Sequence, residues 1–228
     1  MIDTDGDVAP CLLPAGFRTA GVACGIKDDP TTLDLALFVA DGPVAAAGVF
    51  TANRVCGAPV KVSRERVPGE DVRAVVINSG NANACTGARG IEDAKTMTAA
   101  VAEEIGCDPE AVLVCSTGVI GHYLPLELIT SGIPRVAASL SDSPEAFHAA
   151  ARAMMTTDTV AKQSVHEATL AEGTCRVSGA AKGAAMIGPN MGTMLAVVMT
   201  DAMMTPDQVD TVLRTAVDAS FNSISVEG

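Results

Sequence analysis

The sequence has 228 residues, 48% hydrophobic and 18% charged, which suits a globular chain with a substantial core and excludes a disordered one. A formal net charge of −12 and a pI near 4.5 argue against nucleic acid or an anionic membrane surface as partner. No apolar run approaches the ~20 residues of a membrane span, and the acidic start, Met1–Asp7, lacks the basic region of a signal peptide, so a cytoplasmic location is expected.

With aromatics at 3% and no Trp, the core must be built from Ala, Val, Leu, Ile and Met. The strand-like runs 34–39 and 44–50 flank Ala40-Asp41-Gly42-Pro43 and predict a hairpin. Residues 72–77 read as a buried strand that runs into Asn78-Ser79-Gly80-Asn81-Ala82-Asn83-Ala84-Cys85-Thr86-Gly87. That stretch of small, turn-forming residues suits close approach to a ligand or another backbone. Ile91, Ala94, Met97, Val101 and Ile105 mark a helix over 91–105, stopped by Gly106. Glu92-Asp93 and Glu103-Glu104 on that helix read as solvated surface. A strand over 111–115 enters Ser116-Thr117-Gly118-Val119-Ile120-Gly121.

Ser143-Pro144-Glu145 opens a helix that runs to about Met155, with proline at its first position. Residues 164–171 and 174–179 read as a second hairpin around Glu172-Gly173. The apolar run Met194–Met199 begins a strand over 194–200, and Thr205-Pro206-Asp207-Gln208 has capping-box spacing for a helix to Ser220. Strands alternate with helices, but the hairpins argue against a purely parallel sheet. The expected fold class is α+β, a layered sandwich of mixed sheets in one domain, 1–228.

Chemical signatures are sparse. There is no Gly-x-x-x-x-Gly-Lys-Ser/Thr phosphate loop, no Gly-x-Gly-x-x-Gly after a strand and no Gly-x-Ser-x-Gly elbow. The seven cysteines are odd in number, lack Cys-x-x-Cys spacing and have no nearby His pair; most are expected to be small buried hydrophobes in a reducing compartment. Thr193 follows Gly192 and opens the 194–200 run, downstream of the Gly/Pro/Asn-containing loop Lys182–Asn190. A threonine hydroxyl needs an adjacent base to act as a nucleophile. Cutting the peptide bond before Thr193 would supply one, its own α-amine, a group that ordinarily titrates at about 7.7–8.0. A threonine after glycine at the start of a strand is also common without any chemistry. Thr117-Gly118 reads equally as a turn, Thr156-Thr157-Asp158-Thr159 as a cap, and Lys182 as a solvated lysine.

In combination these segments resemble the bifunctional ornithine acetyltransferase/N-acetylglutamate synthase family of arginine biosynthesis. The resemblance is carried by residues 21–27 (Gly-Val-Ala-Cys-Gly-Ile-Lys), 48–53 (Gly-Val-Phe-Thr-Ala-Asn), 78–87, 116–121, 155–159 (Met-Thr-Thr-Asp-Thr), 182–195 and 220–226 (Ser-Phe-Asn-Ser-Ile-Ser-Val), in order along the whole chain. It implies an α-β-β-α sandwich and a precursor that cuts itself before Thr193, at the Gly192–Thr193 bond, to expose a threonine nucleophile. It further implies an oxyanion hole at Thr117 and Gly118 and substrate contacts at Thr156, Lys182 and Thr193. A lysine suits a substrate that carries an α-carboxylate.

The implied reaction is ping-pong acetyl transfer from N-acetylornithine to glutamate, with no metal or organic cofactor; some family members also take acetyl-CoA as donor. Gly192 stands where the family usually has alanine. Residues 1–192 correspond to the family's first chain and 193–228 to the start of its second, so the sandwich is expected to be incomplete without a C-terminal chain, the family assembling as a hetero-tetramer of two cleaved chains. Two other readings stay open: a self-cleaving N-terminal-threonine amidase or aminopeptidase, and an inactive truncated fragment.

Overall fold

The computed structural model describes residues 11–170, 173–188 and 194–226. Two sheets are stacked. The first has four strands, β1 (Phe17–Val22), β2 (Leu35–Ala46), β3 (Gly69–Asn81) and β4 (Val112–Val119), in that spatial order. β1–β2 and β2–β3 are antiparallel, whereas β3–β4 is parallel. A parallel pair needs a long crossover. Helix α2 (Gly87–Ile105) provides it, and as a result the carboxyl ends of β3 and β4 share one edge.

Both faces of this sheet are covered, which is why its strands read as nearly continuous apolar runs. Leu35, Leu37, Val39, Ala74, Val76, Val112 and Val114 face α2 and α3 (Leu126–Ala138), meeting Met97, Val101, Ile129 and Ile133. The alternate residues Ala36, Phe38 and Ile77 face α4 (Pro144–Ala153) and the second sheet, meeting Phe147, Met154, Ala180 and Met199. The sheet edges are closed as well. Thr19 and Ser141 exchange backbone hydrogen bonds beside β1. On β4, the Ser63 hydroxyl of α1 (Ala58–Arg64) donates to the Val114 carbonyl at 2.8 Å and accepts its N–H at 2.9 Å, satisfying an otherwise unpaired strand edge.

The second sheet is antiparallel, β5 (Lys162–Leu170), β6 (Gly173–Lys182) and β7 (Leu195–Thr200). Its inner face carries Ala180 and Met199, while Val165, Leu170 and Val198 are exposed. Helix α5 (Pro206–Ala219) starts with a full capping box between Thr205 and Gln208 and buries only Val217. The expected α+β sandwich of two sheets is therefore present, the first sheet mixed and the second purely antiparallel. Among the described residues its layers are α1–α3, the first sheet, and α4 with the second sheet. No described helix is long and apolar enough to cross a membrane.

Four expectations are corrected. The hairpin predicted at 34–50 is one strand, β2, which keeps its pairing to β3 through register shifts around Gly42-Pro43; Pro43 has no N–H to donate to a ladder, and the bulge absorbs it. Helices α1 and α3 arise where the sequence predicts none. Asp93, expected in solvent, is buried on α2 with Arg89 at 3.8 Å, and burial raises its pKa against the pull of that guanidinium. Among the cysteines, Cys24 and Cys175 are buried, Cys85 is exposed and the remaining four are half-buried, so burial is less general than expected.

Candidate active site

The parallel pairing of β3 with β4 sets Ser79 beside Thr117 and Gly80 beside Gly118 at the shared carboxyl edge. Thr117 and Gly118, expected to lie beyond the end of a strand, are still within β4. Gly118 has φ +134, and a Cβ there would lie 2.3 Å from the Gly80 carbonyl carbon and 2.6 Å from the Asn81 nitrogen. Only glycine fits this crossing of two backbones. Asn81 ties the following loop down: its amide donates to the His122 and Tyr123 carbonyls at 3.2 and 3.0 Å, and its Oδ1 accepts the Asn83 N–H at 2.8 Å.

Lys182 reaches this edge from the second sheet. The period of two along β6 puts it on the same inner face as Ser178 and Ala180, and it is only 3% exposed. It is thus the last residue of a strand and not a solvated loop lysine. Its Nζ donates to Thr156 Oγ1 at 2.7 Å and to Thr117 Oγ1 at 3.2 Å, with Asp158 Oδ2 at 3.9 Å. Thr156 comes from the segment after α4, which two bonds anchor. Ser79 Oγ donates to the Ala153 carbonyl at 2.6 Å, and Lys27 Nζ donates to the Met155 carbonyl at 2.8 Å. Lys27 is in turn held by its bond to the Leu33 carbonyl, in a loop whose backbone N–H groups from Cys24 to Lys27 converge on buried Asp34.

The electrostatics follow from burial. It pushes the Lys182 ammonium below the usual lysine range, with Asp158 opposing and Lys162 reinforcing the shift. Lys27 is lowered for the same first reason, Lys182 adding to it and Asp34 and Asp158 opposing. Burial alone would raise Asp158, but the hydrogen bonds from Lys162 and from the Gly183 and Thr156 N–H groups outweigh it and hold the carboxyl below its usual range.

The structure therefore brings Thr117, Thr156 and Lys182 into direct hydrogen-bond contact, with Gly118 next to Thr117. Gly192 and Thr193 lie outside the described residues. On their C-terminal side, Met194 lies against Gly183, and Leu195 pairs in register with Lys182. Sequence reasoning misses Asp158, Lys27, Asp34 and Asn81 as parts of this site. The first has a signal, a carboxylate inside Thr-Thr-Asp-Thr, and Lys27 ends the motif at 21–27. Among the described residues no three His, Cys, Asp or Glu side chains converge as metal ligands would. A cavity of about 590 Å³ lined by Phe50, Arg54, Lys61, Arg64 and Arg214, among others, shares no lining residue with the Lys182 cluster.

Known proteins share this arrangement of sheets. The chain matches the ArgJ family model over residues 18–228. It is 51% identical over 213 residues to an arginine biosynthesis bifunctional protein ArgJ of Geobacter sulfurreducens, covering 93% of this chain and 53% of that protein. The corresponding protein of Rhodopirellula baltica is 45% identical, covering 95% and 53%. The chain thus spans about half the length of the curated relatives it matches. Among solved structures, ornithine acetyltransferase of Mycobacterium tuberculosis complexed with ornithine superposes with a TM-score of 0.74 at 39% identity, covering 82% of this chain and 98% of that one. An ArgJ protein of Bacillus halodurans gives 0.73 at 39% identity, covering 80% and 92%. On the family model and these relatives together, the chain belongs to the ArgJ family.

Proposed function

We propose that this chain forms part of an enzyme of arginine biosynthesis that moves the acetyl group of N-acetylornithine to glutamate through an acetyl-threonine on Thr193, after self-cleavage at Gly192–Thr193. The observation that carries the reading is the junction of Thr117, Thr156 and buried Lys182 beside Gly118, at an edge where β7 also begins. In the proposed reaction the Thr193 α-amine takes the hydroxyl proton and Oγ attacks the acetyl carbonyl. Negative charge develops on the carbonyl oxygen. Thr117 Oγ1 already accepts a hydrogen bond from Lys182, so its own hydrogen is free to be donated to that oxygen, together with the Gly118 N–H. The tetrahedral species collapses as the amine of ornithine leaves with the proton. The amine of glutamate then attacks the threonine ester, and N-acetylglutamate leaves as Thr193 regains its hydrogen. No atom in this sequence of steps needs a metal or organic cofactor; acetyl-CoA belongs to the proposal only as a second acetyl donor.

Two features support the substrate choice: the ornithine complex of the Mycobacterium tuberculosis relative, and a site edge rich in hydroxyls and cations suited to an amino acid's carboxylate. A cytoplasmic setting, a second chain from the same precursor and a hetero-tetramer complete the proposal. Intact mass spectrometry under denaturing conditions tests its first step. Two fragments divided at Gly192–Thr193 are expected, and only the 23.1 kDa species for Thr193→Ala. Full-length chain alone in both samples would remove self-cleavage. Acetyl transfer is then assayed with the residues C-terminal to 228 of a relative supplied as a second chain. Release of free acetate independent of glutamate would turn the reading toward a self-cleaving amidase.

A further inference from the structure

Asp158 has no part in the reaction as proposed, yet it sits at the centre of the cluster. Its side chain is fully buried. Oδ1 accepts from Lys162 Nζ at 2.6 Å and from the Gly183 N–H at 2.7 Å. Oδ2 accepts from the Thr156 N–H at 3.3 Å and faces Lys182 Nζ at 3.9 Å. One carboxylate therefore grips the backbone at Thr156 and at the residue after Lys182, from two separate elements. We infer that Asp158 is the positioning residue of the acyl-transfer site: it locks the segment after α4 to the end of β6, so that the Lys182 ammonium spans the hydroxyls of Thr156 and Thr117. The inference rests on the reading that those hydroxyls serve acyl transfer.

A neutral acceptor in the same place would hold the backbone but not the charge. Lys182 lies between two sheets, where an ammonium without a counter-charge loses its proton readily. The charged groups facing it come from three elements. Asp158 lies after α4, Lys162 begins β5, and Lys27, with Asp34 behind it, lies on the connection from β1 to β2. Of the two carboxylates, Asp158 is the one that reaches Lys182 directly, and both other cations repel it. Without Asp158 the ammonium gives up its proton at lower pH, and once neutral the amine polarises the Thr117 hydroxyl less than an ammonium does. Asp158 thus acts on the oxyanion donor through Lys182 without touching substrate.

The test follows the titration of Lys182 in the whole chain, labelled with 13Cε-lysine, the Lys182 signal being assigned by its loss in Lys182→Arg. In Asp158→Asn, which keeps an acceptor for the Gly183 N–H, the Lys182 midpoint should fall by about 1–3 pH units. In Lys162→Met, which removes a repelling cation at a half-exposed position, it should rise. A folded Asp158→Asn chain with an unmoved Lys182 midpoint overturns the proposal. If that variant fails to fold, Lys162→Met decides alone, with an unchanged or lowered midpoint counting against it. In the complemented enzyme, Asp158→Asn should displace the basic limb of the transfer rate to lower pH by the same interval; an unmoved limb would also overturn it. The titration is read without substrate, so a chain that never transfers acetyl groups refutes the functional reading while leaving the Asp158 result to stand or fall by itself.

Discussion

Thr117 is the residue at which the proposed chemistry is most exposed to a single atom. Thr117→Val keeps the shape and removes the hydroxyl that accepts from Lys182. Removing one oxyanion donor lowers kcat by about 10²–10³. That loss is the expected result in the complemented enzyme, with the far-ultraviolet circular dichroism of the chain unchanged. A variant that keeps wild-type kcat would take Thr117 out of the oxyanion hole. Taken one at a time, Thr117, Thr156 and Lys182 read in the sequence as a turn, a cap and a solvated lysine, and only the ordered set of motifs singles them out. The carboxylate inside Thr-Thr-Asp-Thr marks Asp158, but it reads as an ordinary cap, and only the tertiary approach of Gly183 and Lys162 shows what else it holds. Asp93 misleads in the opposite direction. Helix α2 begins at Gly87, ahead of the apolar series that predicts it, and the helix face carrying Asp93 turns inward among small residues.

Among the elements, those with strong punctuation are legible. Gly106 ends α2 in the left-handed conformation, at φ +70. Ser143 caps α4, accepting from the Ala146 N–H, and Thr205 with Gln208 opens α5. Helix α3 escapes because Gly132 and Pro134 both argue against a helix, and here packing overrides propensity. That override makes a prediction of sign. Alanine in place of glycine inside a helix ordinarily stabilises by about 1 kcal/mol. At Gly132 the added Cβ would lie 2.7 Å from Cys24 Cβ and 3.1 Å from Leu35 Cδ2, under the loop that carries Lys27. Gly132→Ala is therefore expected to destabilise, by about 1–3 kcal/mol, as overpacking does. A urea midpoint at or above that of the parent would show that α3 has room to shift. The long strand β2 reads from sequence as two strands for a related reason: Gly42-Pro43 punctuates as a turn, but pairing to β3 resumes at Val44 after a bulge and carries the strand on.

For the molecule as a whole, pH dependence follows from the buried charges. Asp158 has a folded pKa held below 3.8, so its contribution to stability is complete above that value and is lost as pH falls through the folded pKa. Lys27 and Lys182 have folded pKa values lowered from 10.5, so their burial while charged opposes folding, and that opposition fades as pH rises through their folded values toward 10.5. Urea midpoints from about pH 5 to about pH 2 should fall more steeply for the parent than for Asp158→Asn; parallel curves would refute the assignment. The ladder between β6 and β7 has one more consequence. Its register runs from Val177 opposite Thr200 to Lys182 opposite Leu195, so the two strands that flank residues 183–194 are zipped together along their length. A break at Gly192–Thr193 would then be a nick and not a division. The severed halves would stay paired and migrate as one body until denatured, showing one mass under native conditions and two in denaturant.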